Sequence, residues 1–179
     1  EISVDTETNS LDPHQADLIG ISLSTKIGKA CYIPIGHKSK KNIDKNLVLK
    51  KLKPLLEDPS IQKIGQNIKF DFIVFFKQGI EITSMEDTML MSYVLDAGKN
   101  RHNMDTLAEI HLGHKTIAFK DLVGTGKKEI NFSEVDLEKA KDYAAEDADI
   151  TLRLYQKFKK SLKTEKMTNL YETFEKPMI

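Results

Sequence analysis

The spacing of apolar positions changes character along the chain. In the first part it is strand-like: ISVD (2–5), LIGISLST (18–25) and ACYIPI (30–35) alternate or run apolar for a strand's length. NSLDPH and KIGK, between them, carry turn residues. Three short strands at hairpin spacing predict an antiparallel meander. From Asp44 the period lengthens. DKNLVLKKLKPLLED sets Leu47, Leu49, Leu52, Leu55 and Leu56 in a roughly helical stripe, with lysines on the other side. IQKIGQN (61–67) reads as a short strand and FDFIVFFKQG as a helix ending at Gly79. MEDTMLMSYVLD and NMDTLAEIHLG read as two more helices, the second with Asn103 as N-cap and Gly113 as its stop. A longer helix is predicted from about Ser133 to Leu162. Strands first, then alternating helix and strand, imply an α/β or α+β sheet with helices packed on it.

Composition narrows the class. The 179 residues are 40% hydrophobic and 30% charged, an ordinary balance for one globular domain with a real core. There is no repeat, low-complexity tract or linker. No apolar run approaches the ~18 residues of a membrane span, so no membrane partner is expected. Glu1 leads straight into a strand pattern, so no secretory signal is expected, and the missing initiator methionine points to a longer parent. Cys31 is the single cysteine, which excludes an internal disulfide or a cysteine-built metal site and fits a reducing cytoplasm. Lys+Arg and Asp+Glu both number 27. A domain that grips duplex phosphates is usually basic, so any grip on nucleic acid must be local or lent by metal ions.

Acids in three places then stand out. Asp5 and Glu7, at i and i+2, share one face of a strand. Such a pair alone serves equally as solvated edge or turn acids. In GQNIKFDF (65–72), Gly65 and Asn67 sit where a strand ends and Asp71 falls in the first turn of an apolar helix. The helix N-terminus favours an acid there, but does not explain the polar Gln66–Asn67 pair at the strand exit, where α/β folds place their sites. In YAAEDADIT (143–151), Tyr143 and Asp147 are neighbours on one helix face, with Ala144, Ala145 and Ala148 leaving room for a close approach. Glu146 and Asp149 point elsewhere. Brought together, four carboxylates repel one another unless cations neutralise them. An all-oxygen set suits Mg²⁺ or Mn²⁺ rather than zinc. A pair of such ions ~3.5–4 Å apart serves phosphodiester chemistry, one activating water and the other steadying the leaving oxygen.

This pattern, D-x-E then N-x-x-x-D then Y-x-x-x-D, resembles the three motifs of the DEDDy 3′–5′ exonucleases. DTETNSL, IPIGH, LKPLLED, KIGQNIKFD, RHNMDTLAE, HKTIAF and YAAEDADIT extend the likeness, nearly end to end, to the proofreading exonuclease domains of bacterial family A DNA polymerases. The resemblance implies a ribonuclease H-like fold: a mixed five-stranded sheet, strands 1–3 antiparallel and the rest parallel, flanked by helices. It implies one domain over 1–179, with about 165–179 (including FEKPMI) opening a junction to a polymerase domain in the same parent chain. It also implies two divalent ions, Mg²⁺ or Mn²⁺: Asp5 bridging both, Glu7 and Asp147 completing the tighter site, and Asp71 holding the second. Tyr143 is then expected to orient the attacking water with Glu7. Leu11 and Phe119 match positions that wedge and stack against terminal bases. Thr6, Gln66, Asn67 and Lys69 match the region of the substrate end, and Arg101, beside His102, matches a phosphate contact. The implied reaction removes nucleoside 5′-monophosphates from single-stranded or frayed DNA 3′ ends. The setting is a monomeric, bacterial, cytoplasmic and nucleoid-associated polymerase. A silent DNA-binding module and a related ribonuclease are the competing readings.

The remaining features read as structural. GTGKK (124–128) lacks phosphate-loop spacing and reads as a flexible loop. His111 and His114 lack zinc-helix spacing and read as surface or loop residues. The lysines at 38–53 and 157–166 read as solvated faces, and FDFIVFF and TMLMSYVL as core.

Overall fold

The computed structural model describes residues 1–39 and 41–179; Lys40, within the lysine-rich 38–53 stretch, lies outside the described residues. β1 (Ile2–Thr8) is the central strand of a five-stranded sheet of order β3-β2-β1-β4-β5. It pairs antiparallel with β2 (Leu18–Lys26), which pairs antiparallel with β3 (Lys29–Pro34). On its other side it runs parallel to β4 (Lys63–Gly65), and β4 runs parallel to β5 (Met85–Asp87). The expected mixed sheet is therefore present.

The alternation of β1 sorts its residues between two helical layers. Val4 packs with Ile68, Val74 and Phe75, in a core that includes α1 (Lys45–Leu56) and α2 (Ile68–Phe76). Ser3 points the opposite way and donates to the Ala148 carbonyl (2.7 Å) of α6 (Leu137–Thr164). Ala140, Ala144 and Ala148 are fully buried at i, i+4, i+8, which lets this 28-residue helix lie close on the sheet. Ile64 joins α6, α3 (Thr88–Asp96) and α4 (Met104–Leu112) in the second core, through Met91, Leu107, Leu154 and Phe158. A third cluster of Ile19, Val123, Phe132, Val135 and Ala140 ties α5 (Phe119–Val123) to the start of α6.

Several boundaries differ from the sequence expectation. Met85–Asp87, expected as helix, is the edge strand β5, because it pairs with β4, and α3 starts only after it, capped by Asp87, which accepts from the Met89 N–H (2.8 Å). The long helix begins at Leu137, capped by Asp136, rather than near Ser133. Ser133 lies in a separate 3₁₀ turn, Phe132–Glu134, closed by an Asn131–Glu134 capping box. GTGKK contains a 3₁₀ turn at Gly126–Lys128. Asn103 precedes α4 as placed, but its side chain makes no capping bond; Gly113 ends the helix at φ 62°. Phe76 and Tyr93 are exposed members of otherwise core stretches. His111 is half-buried, its ring edge-on to Phe158 at 4.8 Å. Beyond α6, short helical turns fold back on β5. Tyr171 is buried, its hydroxyl donating to Glu86 (2.7 Å) and accepting from the Asp87 N–H (3.2 Å), and Lys176 pairs with Glu86 at 2.8 Å. Among the described residues no helix is long and apolar enough to cross a membrane.

Candidate active site

β1 brings two acids to one place. Asp5 lies opposite Ser22 and Glu7 opposite Gly20 in the β1–β2 ladder, and a register shift between Glu7 and Thr8 puts an irregularity directly beside the second acid. Gly20 is required by close approach: a Cβ there would collide with the Tyr32 ring. On the face of the sheet to which Ser3, Asp5 and Glu7 point, α6 supplies Asp147 and, one turn earlier, Tyr143. Oxygens of Asp5, Glu7 and Asp147 lie within 4.8 Å of one another. Asp71, in the first turn of α2, accepts from the Thr6 hydroxyl (2.5 Å), which ties that helix to the strand carrying Asp5 and Glu7. Glu7, Asp71 and Asp147 are buried; Asp5 keeps some surface but is densely surrounded.

Burial without compensating cations shifts all four. Loss of water pushes Asp5 up to about 7, against the pull of the Ser22 side chain and the Thr6 backbone. Ser22 is near enough to soften that shift, yet its buried hydroxyl completes no hydrogen bond of ordinary geometry. Glu7 is raised well above the usual range by burial and then by Asp5, Asp147 and Asp71. Asp71 is raised by burial and Asp5, with Thr6 opposing. Asp147 is raised by burial and Asp5, with the Tyr143 hydroxyl opposing. Burial, then the charges of Asp147, Glu7 and Asp5, pushes the Tyr143 phenol far up, so it remains protonated. Among the described residues no ion pair reaches any of the four acids. A buried, purely oxygen donor set with no paired cation fits a hard divalent ion and suits no soft one.

Over the cluster opens a cleft of about 410 Å³, whose walls include Thr6, Glu7, Leu11, Phe70, Phe119 and Tyr143. Leu11 is 94% exposed and Phe119 43%, and both line this cleft, so their apolar surface is available to a ligand in it. Phe119 stacks parallel on Phe132 (6.2 Å) and leans on Tyr143 (5.9 Å). The structure thus gathers Asp5, Thr6, Glu7, Leu11, Asp71, Phe119, Tyr143 and Asp147. It does not bring Gln66, Asn67, Lys69 or Arg101 into the cleft wall. Gln66 spends both ends of its amide internally, donating to the His102 carbonyl (2.7 Å) and accepting from Thr88 (2.5 Å). Asn67, Lys69 and Arg101 are exposed nearby or beyond.

Two supporting acids escape a reading of the sequence. Asp87 accepts from the N–H groups of Asn67 (2.9 Å) and Ile68 (3.1 Å), holding the left-handed Asn67 (φ 60°) that opens α2 and so places Asp71. An Asp just before an apolar helical run is a capping signal that could have marked it. Glu146 points away from the acid cluster, as its place in the helix predicts, but the sequence does not show its partners, which lie in the segment before α5.

Residues 1–163 match the family model for the 3′–5′ exonuclease. DNA polymerase I of Rhizobium leguminosarum is 43% identical over an alignment covering 99% of this chain and 20% of that protein. DNA polymerase I of Pseudomonas aeruginosa is 47% identical, covering 87% and 18%. The chain spans about a fifth of the length of these curated relatives. Among solved structures, Brucella melitensis NrnC with bound Mg²⁺ superposes with a TM-score of 0.72 at 26% identity, covering 96% of this chain and 77% of that one. Escherichia coli RNase D, an exoribonuclease, matches in fold at a TM-score of 0.68 and 21% identity, covering 94% and 40%. The sheet order and helical layers are those of the ribonuclease H-like exonucleases. The chain belongs to the 3′–5′ exonuclease domain family of DNA polymerase I.

Proposed function

We propose that the chain is the metal-dependent proofreading module of a DNA polymerase I, removing nucleoside 5′-monophosphates from single-stranded or frayed DNA 3′ ends. The convergence of Asp5, Glu7 and Asp147 within 4.8 Å, beneath an apolar-walled cleft, carries this reading. Two divalent ions, Mg²⁺ or Mn²⁺, would be held by Asp5 between them, by Glu7 and Asp147 at one position and by Asp71 at the other. They would supply the positive charge that assists water attack and departure of the 3′ oxygen. Thr6 steadies Asp71 through its hydroxyl. Tyr143, kept protonated, holds its hydroxyl within reach of Asp147 and with Glu7 orients the attacking water. Leu11 wedges between terminal bases and Phe119 stacks on one, which needs no base reading. Asn67, Lys69 and Arg101 meet the strand outside the cleft, and Gln66 joins them by releasing one internal bond. A mismatched end melts more readily and so reaches the site as single strand.

On this reading, residues 1–179 form one domain whose last segment, about 165–179, opens the junction to a polymerase domain in the same parent. The end of the family match at residue 163 supports that boundary. The module acts as a monomer within a cytoplasmic, nucleoid-associated polymerase. The test incubates 5′-labelled single-stranded DNA, with a matched RNA strand beside it, in Mg²⁺ or Mn²⁺. A DNA ladder shortening from the 3′ end, abolished by EDTA and by Asp5→Ala, is expected. DNA left intact under both metals contradicts the activity; faster loss of the RNA favours a ribonuclease, since the 2′-hydroxyl is the main backbone difference.

A further inference from the structure

We propose that Glu146 is a positioning residue that locks the Phe119 ring to the same turn of α6 that carries Asp147, and so sets how firmly a terminal base is held. This rests on the exonuclease reading above. Phe119 opens a helix of only five residues, which has no side-chain cap at its N-terminus. So short a helix does not fix its own position. The segment leading to it, 113–118, runs without regular structure after the left-handed Gly113.

Glu146 fastens that segment at two points with its two oxygens. One accepts from His114 Nε2–H (2.8 Å), the other from the Ile117 N–H (2.6 Å), two residues before Phe119. A third fastening returns the segment to α4, where Thr116 donates to Asp105 (2.6 Å). Glu146 immediately precedes Asp147 and follows Tyr143 by three residues. The anchor of the aromatic platform and Asp147 of the acid cluster therefore share one rigid turn, and a shift of one shifts the other. Glu146 itself stands outside the Asp5–Glu7–Asp147 oxygen cluster, and both of its oxygens are occupied. The bond to the Ile117 backbone is the stricter constraint, because the half-exposed His114 pair is a weak one.

A double-mutant cycle separates positioning from a general loss of structure. Binding of a fluorescein-labelled oligothymidylate is measured by anisotropy in EDTA, for wild type, E146A, F119A and E146A/F119A. Each single substitution is expected to weaken binding about tenfold, the scale of one base–aromatic stack, and the double variant no more than F119A alone. E146Q keeps an acceptor for one partner only and should fall between wild type and E146A; if E146A is unfolded at the assay temperature, the same cycle is read with E146Q. In Mn²⁺, E146A should raise KM for the oligonucleotide about tenfold with kcat within about twofold, the split expected when binding rather than chemistry is disturbed. Losses that multiply in the double variant, unchanged binding by E146A, or a fall in kcat without a change in KM would overturn the proposal. If the wild-type ladder forms while the cycle is additive, this inference alone fails. If wild type neither binds nor cuts the strand, the exonuclease reading fails with it.

Discussion

Replacing Asp5 by asparagine (D5N) should stabilise the metal-free protein at neutral pH while abolishing hydrolysis. Burial raises Asp5 from the ordinary 3.8 to about 7 in the folded state. Between those two values the unfolded chain has released its proton and the folded chain has kept it. Stability therefore falls as pH rises through that window and levels off above about 7. At about 1.36 kcal/mol per pH unit, the whole window amounts to about 4 kcal/mol. Asp5 retains some surface, and water there screens it, so about 2 kcal/mol is the expected gain. For a chain of this length that is about 4–8 °C in Tm. Wild type and D5N are melted by circular dichroism in EDTA at pH 5 and pH 8. The D5N advantage should widen toward pH 8, because most of the window lies between. Saturating Mn²⁺ should then raise the Tm of wild type far more than that of D5N. A D5N protein that melts at or below wild type at pH 8 in EDTA, or an advantage equal at both pH values, would refute the electrostatic reasoning.

Other substitutions separate chemistry, binding and scaffold. Y143F removes a hydroxyl that serves a charged partner, and should lower kcat about 10–100-fold with KM within about twofold. L11A, at a 94% exposed position, should leave unfolding free energy within about 0.5 kcal/mol of wild type, yet weaken binding of a single-stranded oligonucleotide in an anisotropy titration. Y171F strips the buried Glu86 and the Asp87 N–H of a shared partner, and should cost about 1–3 kcal/mol in urea denaturation.

The sequence made some of this legible for identifiable reasons. Period two put Asp5 and Glu7 on one face of β1, and i, i+4 spacing put Tyr143 beside Asp147; both are local rules, and the structure keeps both. Asp71 was placed by its position in an apolar helix's first turn. What stayed hidden depends on contacts far apart in the chain. The pairing of Asp5 with Ser22 is set by strand register, which the alternation of a single strand does not reveal. β5 is three residues long and becomes a strand only by pairing with β4, so MED reads as the start of the helix it caps. Asp87 and Glu146 look like ordinary helix-end and helix-surface acids until the segments they hold, around residues 67 and 117, are folded against them. The substrate contacts expected at Gln66, Asn67, Lys69 and Arg101 came from the family likeness. Local chemistry marks only the polar Gln66–Asn67 pair at a strand exit and assigns it no partner, and the cleft wall includes none of the four.

The central claim is that these buried acids are a divalent-ion site for phosphodiester hydrolysis. It is tested most directly by anomalous diffraction from crystals soaked with Mn²⁺ and a deoxynucleoside 5′-monophosphate. The expected result is two manganese peaks ~3.5–4 Å apart among Asp5, Glu7, Asp71 and Asp147, with the nucleotide phosphate between them and its base against Phe119. Full soaking with no manganese at Asp5, Glu7 and Asp147, or a nucleotide bound away from this cleft, would contradict it.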